Sequence, residues 1–184
     1  MIDLYKDSGL EKVRVAVLAG IPGANDIEAR IDGFEDAIAG SNIKTIYTFA
    51  CNDNVNEAID GVEAYSNANG GEFEAWFMAG GWPYTVDVTA MPETNAWKLA
   101  DENHKIVTVD IFPETTPAFF EAGVLDVAVG QNFYNMGYYC VETLVKLIKG
   151  EEVEAAFDEA LNAKFINTGV QIATIEDYKE VLGV

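Results

Sequence analysis

Arg30, Asp110 and Gln131 are the side chains of this sequence best suited to hold a hydroxylated ligand, and each follows a strand-like run. The runs cover residues 13–19, 43–49, 74–78, 106–109 and 127–130. They lead into Gly23-Ala24-Asn25-Asp26 and on to Arg30, into Cys51-Asn52-Asp53, into Gly80-Gly81-Trp82, into Asp110-Ile111-Phe112, and into Gln131-Asn132-Phe133. A guanidinium offers planar, paired donors to neighbouring hydroxyls. A carboxylate accepts two hydroxyls through charge-assisted bonds, the stronger kind, and a glutamine amide both donates and accepts. Trp82, Tyr84, Phe112, Phe133 and Tyr134 fall within four residues of a strand end, and aromatic faces stack on the apolar C–H faces of sugar rings. In an open parallel α/β sheet, ligands bind beyond the carboxyl ends of the strands. One site for a small polar molecule is therefore expected where these ends meet.

Each residue also has a plainer use. Arg30 lies about 60° from the centre of an apolar helical stripe and could merely cover its edge with its stem. Asp110 could cap a turn at residues 113–116. Gln131 could be an ordinary loop amide, and each aromatic could belong to the core. Asp110 and Gln131 sharing one chain edge favours the site.

Other chemistries find less support. Gly20-Ile21-Pro22-Gly23 invites a phosphate-loop reading, but its spacing is not G-x-G-x-x-G, and Asp26 and Glu28 already hold negative charge where a phosphate would sit. His104, the sole histidine, precedes its strand, away from the proposed site, and is expected to face solvent. Asp53 and Asp110 could pair as acid and base, yet nothing selects them for it. No nucleophilic constellation and no metal-ligand spacing stands out. No catalysis, metal or cofactor is expected.

The elements that must position these residues alternate strand and helix, the signature of a parallel sheet covered on both faces. Residues 26–40 carry Ile27, Ile31, Phe34 and Ile38 at helical spacing, with Gly40 closing the helix. Residues 53–66 form a second helix, with Asp53 as its N-cap. The third strand leads through Gly80-Gly81-Trp82-Pro83 into a helix ending near Glu102, and the fourth into a short helix at 116–122. Residues 134–149 form the last long helix, with Met136, Cys140, Leu144, Leu147 and Ile148 facing inward and Gly150 ending it. Beyond Glu151 come an acidic stretch, a strand at 169–174 and a helix at 175–182. The fold class is a three-layer doubly wound α/β sheet in order 2-1-3-4-5.

A chain of 184 residues can bury its own core as one domain. Its net charge of −20 repels nucleic acid and anionic membrane surfaces and sets nucleic acid aside as a partner. No run approaches the roughly 20 apolar residues of a bilayer span, and the first residues show no signal peptide. Two cysteines with 88 residues between them make no metal or redox motif. Cys140 is expected in the core. Cys51 is expected as a small buried filler or a site-lining residue, and a disulfide between the two stays open.

The segment Ala19-Gly20-Ile21-Pro22-Gly23-Ala24-Asn25-Asp26-Ile27-Glu28-Ala29-Arg30-Ile31-Asp32-Gly33-Phe34 resembles the opening of the C-terminal lobe of type I periplasmic sugar-binding proteins of the ribose/galactose class. Val107-Thr108-Val109-Asp110, Asp126-Val127-Ala128-Val129-Gly130-Gln131-Asn132, Met136-Gly137 and Val145-Lys146-Leu147-Ile148-Lys149-Gly150-Glu151 follow in the order and spacing of that lobe. Asn167-Thr168-Gly169-Val170 and the closing helix resemble its end. The resemblance spans residues 12–184.

The resemblance implies that Arg30, Asp110 and Gln131 hydrogen-bond sugar hydroxyls. Where many members carry Asn-Asp after the third strand, this chain has Gly80-Gly81-Trp82. Gly81 would then let backbone approach the ligand, and Trp82 would supply a stacking face with Phe133 nearby. It further implies a solute-binding protein that delivers a neutral sugar or polyol to the membrane permease of an ABC transporter, outside the cytoplasm. The alternative is the sensor domain of a lactose-repressor-like regulator, which shares the fold.

On this resemblance, residues 1–11 are an N-terminal extension, 12–163 the sugar-binding lobe, and 164–184 a tail that crosses back toward an N-terminal lobe. That other lobe is missing from this sequence, so affinity is expected to be weak. A lone lobe also leaves apolar surface uncovered, and self-association through the cleft face or the tail is expected.

Overall fold

A computed structural model describes residues 1–158 and 163–184. Part of the acidic stretch after Glu151, residues 159–162, lies outside the described residues. The chain separates into two compact units, Met1–Val129 with Ile172–Val184, and Gly130–Gln171.

The first unit is built on strand β1, Val13–Ala19, whose near-continuous apolar run is buried on both faces. Such a run belongs to the middle of a parallel sheet with helices on either side. β1 pairs in parallel with β2, Ile43–Ala50, and with β3, Ala75–Met78. β3 pairs in parallel with β4, Lys105–Val109, and β4 with β5, Val127–Gln131. The order is β2-β1-β3-β4-β5, as the alternation predicts, and β8, Val170–Thr174, adds a sixth strand beside β5.

Period-2 alternation sends β1 side chains to two cores. Val13, Val15 and Val17 pack with Ile27, Phe34 and Ile38 of helix α2, Asn25–Ile38. Phe34 stacks on Phe77 of β3 with ring centroids 4.2 Å apart. Ala16 and Leu18 face the other core, with Val62, Trp76 and Phe119. That core is covered by α3, Val55–Asn69, α4, Pro92–Ala100, α5, Thr116–Glu121, and α7, Tyr178–Leu182. Leaving β1, the chain turns to β2 on one side and then returns to β3 on the other. The gap between the ends of β1 and β3 is therefore the switch point where α/β sheets bind ligands.

Three local expectations change. The N-cap of α3 is Asn54, whose side chain accepts from the N–H groups of Asn56 and Glu57. Asn52 and Asp53 instead take left-handed backbone, with φ of 53° and 56°, which delays the helix by one residue. The single helix expected after β3 is two 3-10 turns, Trp82–Thr85 and Val88–Ala90, followed by α4. Pro83 and Pro92 each sit in a first turn, where a missing N–H costs nothing, and mark the restarts. His104 does not simply face solvent: it is half-buried, stacks on Trp97 and bonds the Trp97 carbonyl through Nδ1.

Both ends of the chain belong to this unit. Helix α1, Ile2–Tyr5, buries Tyr5, whose one hydroxyl proton is shared between the carbonyls of Glu74 at 2.7 Å and Asn103 at 2.8 Å. In the tail Ala173 is fully buried, and Tyr178 stacks on Phe120 and bonds Glu121.

The second unit holds helix α6, Phe133–Lys149, and the antiparallel pair β6, Ala156–Asp158, and β7, Ala163–Phe165. Asn132 caps α6 by accepting from the Asn135 N–H, and Gly150 ends it in left-handed backbone. The stripe Met136, Cys140, Leu144 and Leu147 lines a groove with Phe165 and Ile166. None of α6 is buried, and Cys140 is exposed rather than a core residue. Two strands of three residues are too small to cover a helix of 17. Cys51 is buried, and both cysteines are free.

Candidate functional site

Three glycines shape the carboxyl ends of the strands. Gly20 follows β1, and Gly80 and Gly81 follow β3 by two and three residues. A Cβ on Gly20 would stand 2.7 Å from the Trp82 ring and 2.5 Å from Asp53 Oδ1. A Cβ on Gly80 would meet the same ring at 2.6 Å, and one on Gly81 would meet Phe112 at 2.6 Å and Asp110 Cβ at 3.3 Å. Real side chains do not tolerate such distances. The missing methyl groups are what let Trp82 lie across the ends of β1 and β3 and let Phe112 close against the backbone beside it. Trp82 is half-buried there, spread over a floor of glycines at the switch point.

Arg30 reaches this floor from the second turn of α2. Its Nη1 donates to the Ala79 carbonyl at 2.8 Å and to Asp110 Oδ2 at 3.3 Å. The Ala79 bond draws the guanidinium to the end of β3, and the carboxylate balances its charge. Each of the two side chains keeps about a fifth of its surface exposed (22% and 21%), enough to meet a ligand without being released into bulk water. No other hydrogen bond of this guanidinium occurs among the described residues, so its remaining donors are available.

The Phe112 N–H is taken by the Thr116 hydroxyl. Asp110 itself has φ of 75°, in the left-handed region that Asp enters more readily than most residues. Its N–H still donates to Val129 at 2.8 Å, holding it in the sheet while the chain turns.

Arg30, Gly81, Trp82 and Asp110 thus come together in the first unit. Gln131 ends β5 in the second unit, is half-buried and has interaction partners. Phe133 opens α6, is exposed, and lines an apolar groove with Tyr134, Tyr138 and Val141. Tyr84 leaves the candidate aromatics altogether: it is fully buried edge-on to Phe119. Burial pushes its phenol well above the ordinary range.

Sequence reasoning missed Asp53 as part of this floor by assigning it the cap of α3. The signal was the Asn-Asp pair one residue past a strand, since these residues tolerate left-handed backbone and so turn a chain abruptly. Cys51, just before the pair, is no reactive group. Burial pushes its thiol pKa up, opposed by hydrogen bonds from the Asp53 and Asn54 backbone.

The phosphate-loop alternative meets a direct obstacle. The Gly23 N–H already donates to the Glu28 carboxylate at 2.9 Å. Among the described residues no group of three or more His, Cys, Asp and Glu could hold a metal ion, and no helix is long and apolar enough to cross a membrane.

The family model described as periplasmic binding protein domain matches residues 1–152. No curated protein sequence matches the chain. Among solved structures, the chain is similar to an ABC transporter periplasmic solute-binding protein from Actinobacillus succinogenes with bound D-allose, at 20% identity and a TM-score of 0.73. That match covers 96% of this chain and 58% of the other. A solute-binding protein from Burkholderia graminis in complex with D-arabinose matches at 21% identity and a TM-score of 0.76, covering 96% and 56%. One from Agrobacterium vitis with bound D-fucose matches at 25% identity and a TM-score of 0.74, covering 97% and 58%. The chain therefore spans little more than half the length of these structures.

Proposed function

The chain belongs to the periplasmic binding protein domain family, and from that premise we propose that it binds a small neutral sugar or polyol at the carboxyl ends of its strands, for ABC-type import. The observation that carries the proposal is the Arg30–Asp110 pair beside Trp82. A guanidinium with donors to spare, a carboxylate and an indole suit a ring with hydroxyls at its edge and C–H bonds on its face. A bare anion would meet the chain's −20 charge, whereas a neutral sugar pays no such penalty. Gln131 and Phe133 remain candidate contacts on the sequence resemblance alone.

The protein would act outside the cytoplasm and hand its solute to a membrane permease. Solute binding, not catalysis, is its role. By itself this chain would bind weakly, because a sugar held from one side keeps much of its hydration and only part of its possible hydrogen bonds. The covered tail, with Tyr178 and Ala173 buried in its own unit, argues that self-association would run through the strand-end face and not by exchange of the tail. The regulator alternative draws no support from the site.

Titration with D-allose, D-arabinose and D-fucose by calorimetry tests the proposal. At least one sugar should bind, and Asp110→Ala should weaken it by about 1.5–3 kcal/mol, the worth of a hydrogen bond to a charged group. Binding that ignores this substitution would remove Asp110 from the site, and no binding of any sugar would remove the function.

A further inference from the structure

We propose that Asp53 is a second carboxylate of the same site, reading a hydroxyl on the edge of the sugar that Asp110 does not reach; this rests on the sugar-binding function proposed above. Asp53 Oδ1 and the Trp82 ring both lie within 2.7 Å of the point where a Gly20 Cβ would stand. The carboxylate is thus beside the indole, over the same glycine floor. Asn52 and Asp53 both take left-handed backbone as the chain leaves β2, and the Asn52 N–H still holds the Gly20 carbonyl at 3.3 Å. This turn aims the Asp53 side chain back toward β1, not out along α3.

The neighbouring groups are spent on structure, and Asp53 is not. The Asn52 amide donates to Glu57 at 3.0 Å, and the Asn54 side chain caps α3. Asp110 is balanced by Arg30. The Asp53 carboxylate has no hydrogen bond and no ion pair among the described residues, so its acceptor sites remain for a ligand. In the strand order β2-β1-β3-β4, Asp53 leaves β2 and Asp110 leaves β4, three strand spacings or about 14 Å apart. Both lean inward, Asp53 over Gly20 and Asp110 over Gly81. The space between them, with Trp82 in the middle, is on the scale of one sugar ring and its hydroxyls. Asp53 would therefore select for a hydroxyl donor at that end of the ring, and a deoxy sugar lacking it would be rejected.

The test compares Asp53→Asn with Glu57→Gln in the full chain, using the sugar among D-allose, D-arabinose and D-fucose that the unsubstituted protein binds. Asn accepts left-handed backbone as readily as Asp, so D53N removes the charge and keeps the turn; an unchanged thermal midpoint checks this. Glu57→Gln removes an equal charge one helical turn away without touching the floor. D53N should weaken binding at least tenfold and E57Q less than twofold. If D53N binds as the parent does while Asp110→Ala weakens binding, the inference fails and the function stands. If both substitutions weaken binding equally, the effect is the field of the surface and not a contact, and the inference fails. If the parent binds none of the sugars, the function falls and the inference with it.

Discussion

Arg14 and Arg30 are the two arginines of the chain, and they occupy opposite ends of one sheet. Arg14, at the amino end of β1, grips Glu74 with Nε and Nη2, and Nη2 also donates to the Gly71 carbonyl. Glu74 in turn takes the Arg14 backbone N–H at 2.6 Å. Beside them Lys98 and Lys105 both face Asp126, which also accepts from the Ile106 N–H at 2.7 Å. At this end donors and acceptors are matched and the result is structure. At the carboxyl end Arg30 engages one nitrogen, the Asp53 carboxylate has no hydrogen bond or ion pair among the described residues, and two aspartates hold left-handed backbone. Unspent hydrogen-bonding capacity, and not the type of residue, separates the end that folds the sheet from the end proposed to meet a ligand.

The largest test of that contrast exchanges effects between the arginines. Arg30→Ala should lower sugar affinity by a hundredfold or more, about 2.7 kcal/mol or above, while moving the thermal midpoint little. Arg14→Ala should leave binding unchanged and cost about 1–2 kcal/mol of stability. It strands the mostly buried Glu74, and the partial exposure of Arg14 tempers the loss. Binding titrations and urea unfolding of both variants decide it. Equal effects on both properties would break the distinction.

A smaller effect is expected from Tyr5→Phe, which removes the donor shared by two carbonyls at the structural end and should cost about 1–2 kcal/mol. Burial first, then the nearby charges of Asp126, Glu74 and Asp101, push the Tyr5 phenol well above its ordinary range. A raised folded value means the contribution is intact below the unfolded value, about 10, and is lost as pH rises beyond it. Urea unfolding between pH 9 and about 11 should therefore show a steeper alkaline loss in the parent than in Tyr5→Phe.

The smallest effect lies in acid. Hydrogen bonds to Asn103, chiefly from its backbone N–H, hold Asp101 below the usual carboxylate range at the turn before β4. A depressed folded value gives stability that is present above the unfolded value, about 3.9, and is lost as pH falls through the folded one. Asp101→Asn should make the acid limb of the stability profile slightly shallower, with sugar binding unaltered.

Most of the sheet was legible in sequence because β1 and β3 are apolar on both faces, and only a parallel sheet under two helical layers buries both. That Arg30 and Asp110 lie near the strand ends was legible because each stands in the segment that follows a buried strand; that they meet was shown by the fold. The turn at Asn52-Asp53 was not, since Asp is equally at home as an N-cap and in left-handed backbone. Tyr84 and Trp82 stand two residues apart in the same short turn. One is buried against Phe119 and the other lies over glycines, and nothing in their local sequence separates the two fates. The stripe on α6 shows the same limit: the pattern says that a face prefers cover but not what provides it.

The sequence by itself determined the strand order, the residues that end each strand and the acidity of the chain, because these follow from local periodicity and charge. Only the tertiary structure decided that Trp82 lies across Gly20 and Gly80, that Arg30 spends one nitrogen on Ala79 and Asp110, and that Asp53 leans over β1. Those contacts join residues 49 and 80 positions apart in the case of Arg30. They depend on side-chain directions and missing Cβ atoms, which close packing sets and sequence spacing does not.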